Sequence, residues 1–194
     1  MSYGCTRQAL RVRSRWQSAD TFFERAVLAT QFRTHYRHPR KFRALKGALI
    51  ALLCGTPGLP LTMTDILKLP KYELLTEFKC VEGWSQIAQW GAIRMADFIA
   101  AYPPTSKPDS SLPRYVYMET PSGDYYVGYD MDVCLHPQTL LTTEMAGTPL
   151  TQLHGAPLRL HTPSKYDYKQ IKRIGLIAYT DVKPDDYWTK LGYD

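Results

Sequence analysis

Phe78-Lys-Cys-Val-Glu-Gly-Trp-Ser85 is the stretch on which the reading of this chain turns. Upstream of it, Leu74, Thr76, Phe78 and Cys80 alternate, so residues 72–81 are predicted to form a strand with these four side chains on one face. The strand ends at a cysteine, and Glu82-Gly83 turns the chain before Trp84. Folds present reactive groups at strand ends, and a soft thiolate there suits a soft or redox-active metal. Taken alone, a cysteine is more often buried as a small hydrophobe.

Outward from this stretch towards the N-terminus, Thr62 is expected to cap a short helix that stops before Pro70. Gly55-Thr-Pro-Gly58 is a breaker. Before it, Phe42, Leu45, Leu49 and Leu52 repeat at helical spacing. Thr21 and Glu24 have capping-box spacing, followed by Phe23, Ala26, Val27 and Thr30 on one helical face. Residues 1–58 are therefore expected to be a basic, helical extension, and residues 59–194 the main domain.

Towards the C-terminus, a helix is predicted over residues 94–101 and a Pro/Ser loop over 103–113. Strands follow over Arg114–Thr120 and Asp124–Tyr129, joined by Pro121-Ser-Gly123, and then over Leu158–Thr162 and Ile171–Tyr179. Gln152-Leu-His-Gly-Ala-Pro-Leu-Arg159 makes a constrained turn leading into a strand. Gly155 permits close backbone approach, and Arg159 supplies a planar fork suited to phosphate. Lys165-Tyr-Asp-Tyr-Lys-Gln-Ile-Lys-Arg173 interleaves cations with tyrosines, a pattern that grips anions or single-stranded nucleic acid. Strands and short helices mix without a βαβ rhythm, which points to an α+β fold. There is no Walker loop and no G-x-G-x-x-G.

Charge and cysteine usage narrow the function classes. Residues 1–47 carry eleven Lys/Arg against two acids, whereas the remainder carries thirteen against sixteen. The net charge of +6 thus belongs to the first quarter of the chain. Such an arm can meet nucleic acid, an anionic membrane or an acidic partner, but a solvated surface is commoner. Cys5, Cys54, Cys80 and Cys134 form no C-x-x-C pair, which argues against a zinc ribbon, a thioredoxin-type site or a cluster-binding run. The longest apolar run, Gly47–Cys54, is too short for a membrane span. No signal peptide is read at Met1, so the chain as written is expected to be cytoplasmic.

The ordered set of motifs says more than any one of them. It runs Cys-x-Glu-Gly-Trp-Ser, Tyr-Val-x-Met-Glu-Thr, His-Pro-x-Thr-Leu-Leu, His-Gly-Ala-Pro-Leu-Arg, Lys-Tyr-x-Tyr-Lys-x-x-Lys and a closing Tyr-Trp-x-x-x-Gly-Tyr. In this order the motifs resemble the sulfite oxidase family, and most closely its bacterial branch, the catalytic subunits of methionine-sulfoxide reductases. The resemblance covers residues 59–194. It implies a sulfite-oxidase-type molybdopterin-binding fold with mixed sheets and short helices. It also implies molybdenum and molybdopterin as cofactors, and oxygen-atom transfer to or from a small sulfur compound of the sulfite or sulfoxide type. Cys80 matches the family's single metal-ligating cysteine. Thr120, His154 and Arg159 match residues near the pterin and its phosphate, and Lys169, Gln170, Ile171 and Lys172 match the segment that wraps the phosphate.

The resemblance carries further expectations and some departures. Many relatives have Gly where this chain has Asp167, and a carboxylate there repels a phosphate unless it points away or is paired. The cofactor-contacting residue that precedes the Cys motif in the family has no match in residues 1–58. Neither a haem domain nor the dimerisation domain of eukaryotic relatives is read here. A monomer and a separate electron-transfer partner are therefore expected, relatives often using a haem protein. A periplasmic location follows from the resemblance if the start is misplaced. Tyr115, Tyr126, Asp130 and His136 are acid–base candidates by residue type only. The alternative is a cofactor-free binding module that keeps the fold without catalysis. Nucleic-acid binding through the first quarter ranks below both, since no sequence-reading element stands out.

Overall fold

The computed structural model describes residues 48–53, 59–104 and 111–193. The helix expected around Thr21–Thr30, the positions of Phe42, Leu45, Cys5 and Cys54, and most of the loop expected at 103–113 lie outside these residues. A compact unit runs from Ala48 to the C-terminus.

Among the described residues, ten strands make two sheets. The first sheet has the order β2-β1-β10-β5-β6. Its strands are β1 (Ala48–Leu53), β2 (Leu59–Thr62), β5 (Tyr115–Glu119), β6 (Tyr126–Asp130) and β10 (Leu176–Thr180). The second has the order β3-β4-β7-β8, with β9 also paired to β7. Its strands are β3 (Lys71–Lys79), β4 (Ser85–Arg94), β7 (Leu140–Met145), β8 (Thr148–Pro149) and β9 (Arg159–His161). Three short helices, α1 (Met63–Ile66), α2 (Met95–Ala101) and α3 (Met131–Leu135), connect them. The fold is α+β, as the patterning implied; the first sheet is mixed, through the parallel pairing of β1 with β10, and the second is antiparallel.

Several local expectations are met. Thr62 caps α1 through a capping box with Asp65. The β5–β6 hairpin turns at Pro121-Ser-Gly123, where Gly123 has φ 74°. One expectation is corrected. The helical pattern through Leu49 and Leu52 falls in β1, which pairs parallel with β10 and antiparallel with β2. A short apolar run does not separate helix from strand by periodicity, and here sheet pairing decides. The strand expected over Ile171–Tyr179 is confined to Leu176–Thr180. Strands β4 and β7 and helix α3 add elements that the sequence reading left unassigned.

The larger core gathers Met95, Phe98 and Ile99 of α2, Val116 and Met118 of β5, Ile177 of β10, and Leu141 and Leu160 from the second sheet. A smaller cluster holds Phe78, Ala88, Trp90, Ala92 and Leu140, all from the second sheet. Fully burying a side chain of this size stabilises the fold by about 1.5–3 kcal/mol. Alternation along β9 sends its side chains to opposite faces. Leu160 enters the larger core, while Arg159 and His161 point the other way, towards Phe78 and Trp90.

Candidate functional site

Cys80 sits immediately after β3, at the root of the turn into β4. Its N–H donates to the Trp84 carbonyl at 2.9 Å, and Gly83 N–H donates back to the Cys80 carbonyl at 3.2 Å. Gly83 has φ 90°, a conformation that favours glycine. The turn therefore holds Cys80 in a fixed place, only 4% exposed. Burial raises the thiol above its ordinary range. The nearby Asp167 and Glu82 carboxylates add to the rise, while a backbone hydrogen bond from Glu82 opposes it. Glu82 Oε2 lies 3.9 Å from Cys80 Sγ and accepts from the Trp84 indole at 3.3 Å.

Arg159 is linked to the thiol through Asp167, whose charge acts on both. Its guanidinium carbon lies 5.0 Å from the Trp90 ring centre and 5.5 Å from that of Phe78. Nη1 donates to the His154 carbonyl at 3.2 Å. Nε and Nη2 are buried without a partner, although the residue is only 3% exposed. Burial pulls the guanidinium down to about 10, opposed by the charge of Asp167. A buried cation with two idle donors is costly unless an acceptor arrives.

His161, on the same face of β9, packs 5.1 Å from Trp90 and 6.2 Å from Phe78 by ring centres. Gln170 Nε2 donates to the carbonyls of Thr162 at 3.0 Å and Lys165 at 2.8 Å. Gln170 Oε1 therefore faces His161 Nδ1 at 2.9 Å, which assigns the ring proton to Nδ1. His161 Nε2 is left as a buried acceptor without a partner. Burial and the charge of Arg159 bring this imidazole down to about 4, against the pull of Gln170.

The neighbouring turns close on these residues. His154 ends a 3-10 turn, Gln152–His154, capped by Gly155 at φ 92°. A Cβ on Gly155 would come within 3.0 Å of Lys172 Cβ and 3.1 Å of Arg173 N, so this turn is seated against the 172–173 backbone. Burial lowers His154, and Lys172 and Arg159 lower it further. Asp167 opens a second 3-10 turn, Asp167–Lys169. The hydroxyls of Tyr125 and Tyr129 donate to the Tyr168 and Lys169 carbonyls and hold that turn against the first sheet.

The sequence candidates separate into three groups. His154, Arg159 and Lys172 come together at one turn, and Cys80 is joined to them through Asp167. Thr120 stands one step away. Its hydroxyl bonds Tyr125, whose own hydroxyl reaches the Tyr168 carbonyl. The side chains of Lys169, Gln170 and Ile171 turn elsewhere. Lys169 pairs with Asp186 at 3.2 Å and Thr189 at 3.4 Å. Gln170 staples its own loop, and Ile171 is fully buried in the larger core. The N–H groups of Lys169 and Gln170 are themselves used inside the turn, donating to the Tyr166 and Asp167 carbonyls. Among the type-only candidates, His136 Nδ1 accepts from Gln138 N at 3.2 Å and serves a turn. Cys134 is buried, with its thiol pushed up to about 12.

Sequence reasoning did not single out His161, Trp90 or Glu82 as site residues. The alternation Arg159-Leu-His161 was the available signal for His161. Trp90 had none, because its role depends on the pairing of β3 with β4. The described residues contain no cluster of three or more His, Cys, Asp or Glu able to hold a metal ion by themselves. They do suit an anionic group that brings its own metal ligands. Arg159 offers two free buried donors, Lys172 adds charge, and Cys80 offers a soft sulfur nearby.

Comparison with known proteins agrees with this picture. A family model described as oxidoreductase molybdopterin binding domain matches residues 50–188. The chain is similar to the protein-methionine-sulfoxide reductase catalytic subunit MsrP of Xanthomonas axonopodis pv. citri, with 34% identity over 151 residues. That match covers 71% of this chain and 46% of the relative. With MsrP of Campylobacter jejuni the identity is 38% over 141 residues, covering 67% of this chain and 48% of the relative. The chain thus spans about half the length of these curated relatives. Among solved structures, the sulfane dehydrogenase SoxCD of Paracoccus pantotrophus shares the fold with a TM-score of 0.59 at 14% identity. That match covers 86% of this chain and 53% of the other.

Proposed function

The chain belongs to the oxidoreductase molybdopterin binding domain family, and on that premise we propose that it is the catalytic domain of an enzyme that moves an oxygen atom to or from a sulfur compound. The observation that carries this reading is Arg159. Its Nε and Nη2 are buried without a partner, Asp167 acts on both this guanidinium and the Cys80 thiol, and an anionic cofactor bearing a soft metal suits the pair.

The residues have distinct tasks in this proposal. Cys80 supplies the thiolate ligand. Arg159 binds the anionic part of the pterin, with Lys172 and the His154 turn beside it. The 169–172 segment stands beside the anionic part, and Thr120 braces the turn that opens it through Tyr125. The His161–Gln170 pair holds the loop that carries Asp167 and walls the pocket with Trp90 and Phe78. When bound, molybdenum–molybdopterin supplies the two-electron redox chemistry. Reduction of a sulfoxide takes up two electrons and two protons and yields a thioether and water. The electrons come from a separate partner protein. Among the described residues, no helix is long and apolar enough to cross a membrane.

Metal and pterin analysis tests this proposal, on wild type beside Cys80→Ser and Arg159→Met expressed in cells that make the cofactor. Near-stoichiometric molybdenum is expected in wild type. Its metal–thiolate absorption should vanish in Cys80→Ser, and pterin content should fall in Arg159→Met. Folded wild type without molybdenum would overturn the enzyme reading and favour a cofactor-free binding module. The pairing of Lys169 with Asp186, which occupies that ammonium group, favours that alternative.

A further inference from the structure

Strand β3 is an open edge of the second sheet. It runs from Lys71 to Lys79 and pairs with β4 at every residue without a register shift. Among the described residues, no backbone group of Lys71–Lys79 is hydrogen-bonded on the other side. The edge strand β6 of the first sheet differs. Tyr187 N–H donates to its Tyr126 carbonyl at 3.0 Å, and Pro184 lies against Gly128. Edges are ordinarily protected by shortness, proline or a bulge, and β3 has none of these. One of its end charges is turned away from the edge, since Lys71 pairs with Glu144 of β7 at 2.6 Å. In the middle of the same face the surface is apolar. Leu75 is 69% exposed, and Ile87, its diagonal neighbour on β4, is 66% exposed.

We infer that β3 is a dimer edge, on which a second copy of this chain pairs antiparallel about a two-fold axis through Thr76 to make one continuous sheet. The order of side chains along β3 selects this register. Glu73 faces the partner's Lys79, and by symmetry Lys79 faces the partner's Glu73. On the opposite face Leu74 meets the partner's Phe78, and Thr76 meets its own copy. The two Leu75 side chains become diagonal neighbours, so the Leu75–Ile87 stripe runs unbroken across the axis. Neighbouring registers fit less well. Centred on Leu75, the pairing sets Lys71 against Lys79 and Glu73 against Glu77, like charge against like. Centred on Leu74, it relies on Lys71, which Glu144 already holds, and sets Phe78 against Pro70. Pairing over Glu73–Lys79 ends one residue short of Cys80. The inference therefore does not depend on the function proposed above, and it departs from the monomer that the resemblance implies. An interface of this size gives a reversible dimer with micromolar affinity.

Sedimentation equilibrium of the full chain over a range of concentrations tests this. Wild type is expected to reach twice the chain mass reversibly in the micromolar range. Glu73→Lys and Lys79→Glu each set like charges face to face at two symmetric places. Each is expected to weaken the dimer about tenfold. The double variant Glu73→Lys/Lys79→Glu restores opposite charges and is expected to regain wild-type affinity, which a misfolded chain would not do. A second measurement uses Thr76→Cys. Directly opposed residues lie within disulfide reach, so oxidation is expected to give a covalent dimer that wild type does not form. A wild type that stays monomeric throughout would overturn the inference and leave the edge to a strand of a different protein. A dimer that neither charge reversal weakens, or that the double variant does not restore, would overturn it by placing the contact elsewhere.

Discussion

His161 shows how much one side chain can settle about the conditions a fold tolerates. It has no exposed surface, and its imidazole is held near 4 against an ordinary value of 6.5. The unfolded chain therefore takes up this proton first as pH falls. The contribution of His161 to stability is intact above pH 6.5, declines between 6.5 and about 4, and levels off below. Replacing it by leucine removes the proton and keeps the volume. Between pH 7 and 4.5, wild type is expected to lose about 2–3 kcal/mol more than His161→Leu. Urea unfolding at the two pH values measures the difference, and equal losses would refute the assignment. The motifs marked Cys80, His154 and Arg159 as candidate site residues. What Arg159 lacks was not legible, because a missing partner is a property of packing. Gln170 is the instructive contrast, since the motif marked the position while the fold turned its side chain into the loop.

At the scale of elements, the hairpins that carry turn chemistry were the readable ones. The β5–β6 turn was expected from Pro121-Ser-Gly123, and α1 from its capping residue. Strand β4 was hidden because Gly91 interrupts it. In the sheet this glycine faces Glu144, where a Cβ would come within 2.7 Å of the carboxylate, and the register shifts between Gly91 and Ala92. A glycine that reads as a breaker in sequence is here a requirement of close strand packing. Gly175 is a second such position, just before β10. Its N–H donates to the Glu119 carbonyl at 2.8 Å, and a Cβ would meet Pro121 N at 2.6 Å and Pro121 Cα at 2.7 Å. These are backbone atoms and cannot swing aside. Gly175→Ala is expected to destabilise the protein by about 1–3 kcal/mol, read as a lower urea midpoint with an unchanged slope. A shift of under about 0.5 kcal/mol would show that the β5–β6 turn yields easily.

For the whole molecule, the parallel pairing of β1 with β10 has the widest consequence. Strand β1 stands between β2 and β10, so the first sheet needs residues 48–53 to remain continuous. A chain beginning at Ala48 is expected to unfold in one cooperative urea transition. A chain beginning at Leu59 is expected to lose that cooperativity, because β2 then has no neighbour and one edge of β10 is bare. Equal behaviour of the two fragments would contradict the pairing. The amino-acid sequence by itself determined the class of fold and the order of the motifs. Those features rest on local patterning and side-chain chemistry, which a linear chain displays. Only the tertiary structure decided that an apolar run near residue 50 is a strand and that Arg159 keeps two buried donors free. Each of these depends on contacts between segments distant in the chain, where sheet pairing and burial outweigh local preference.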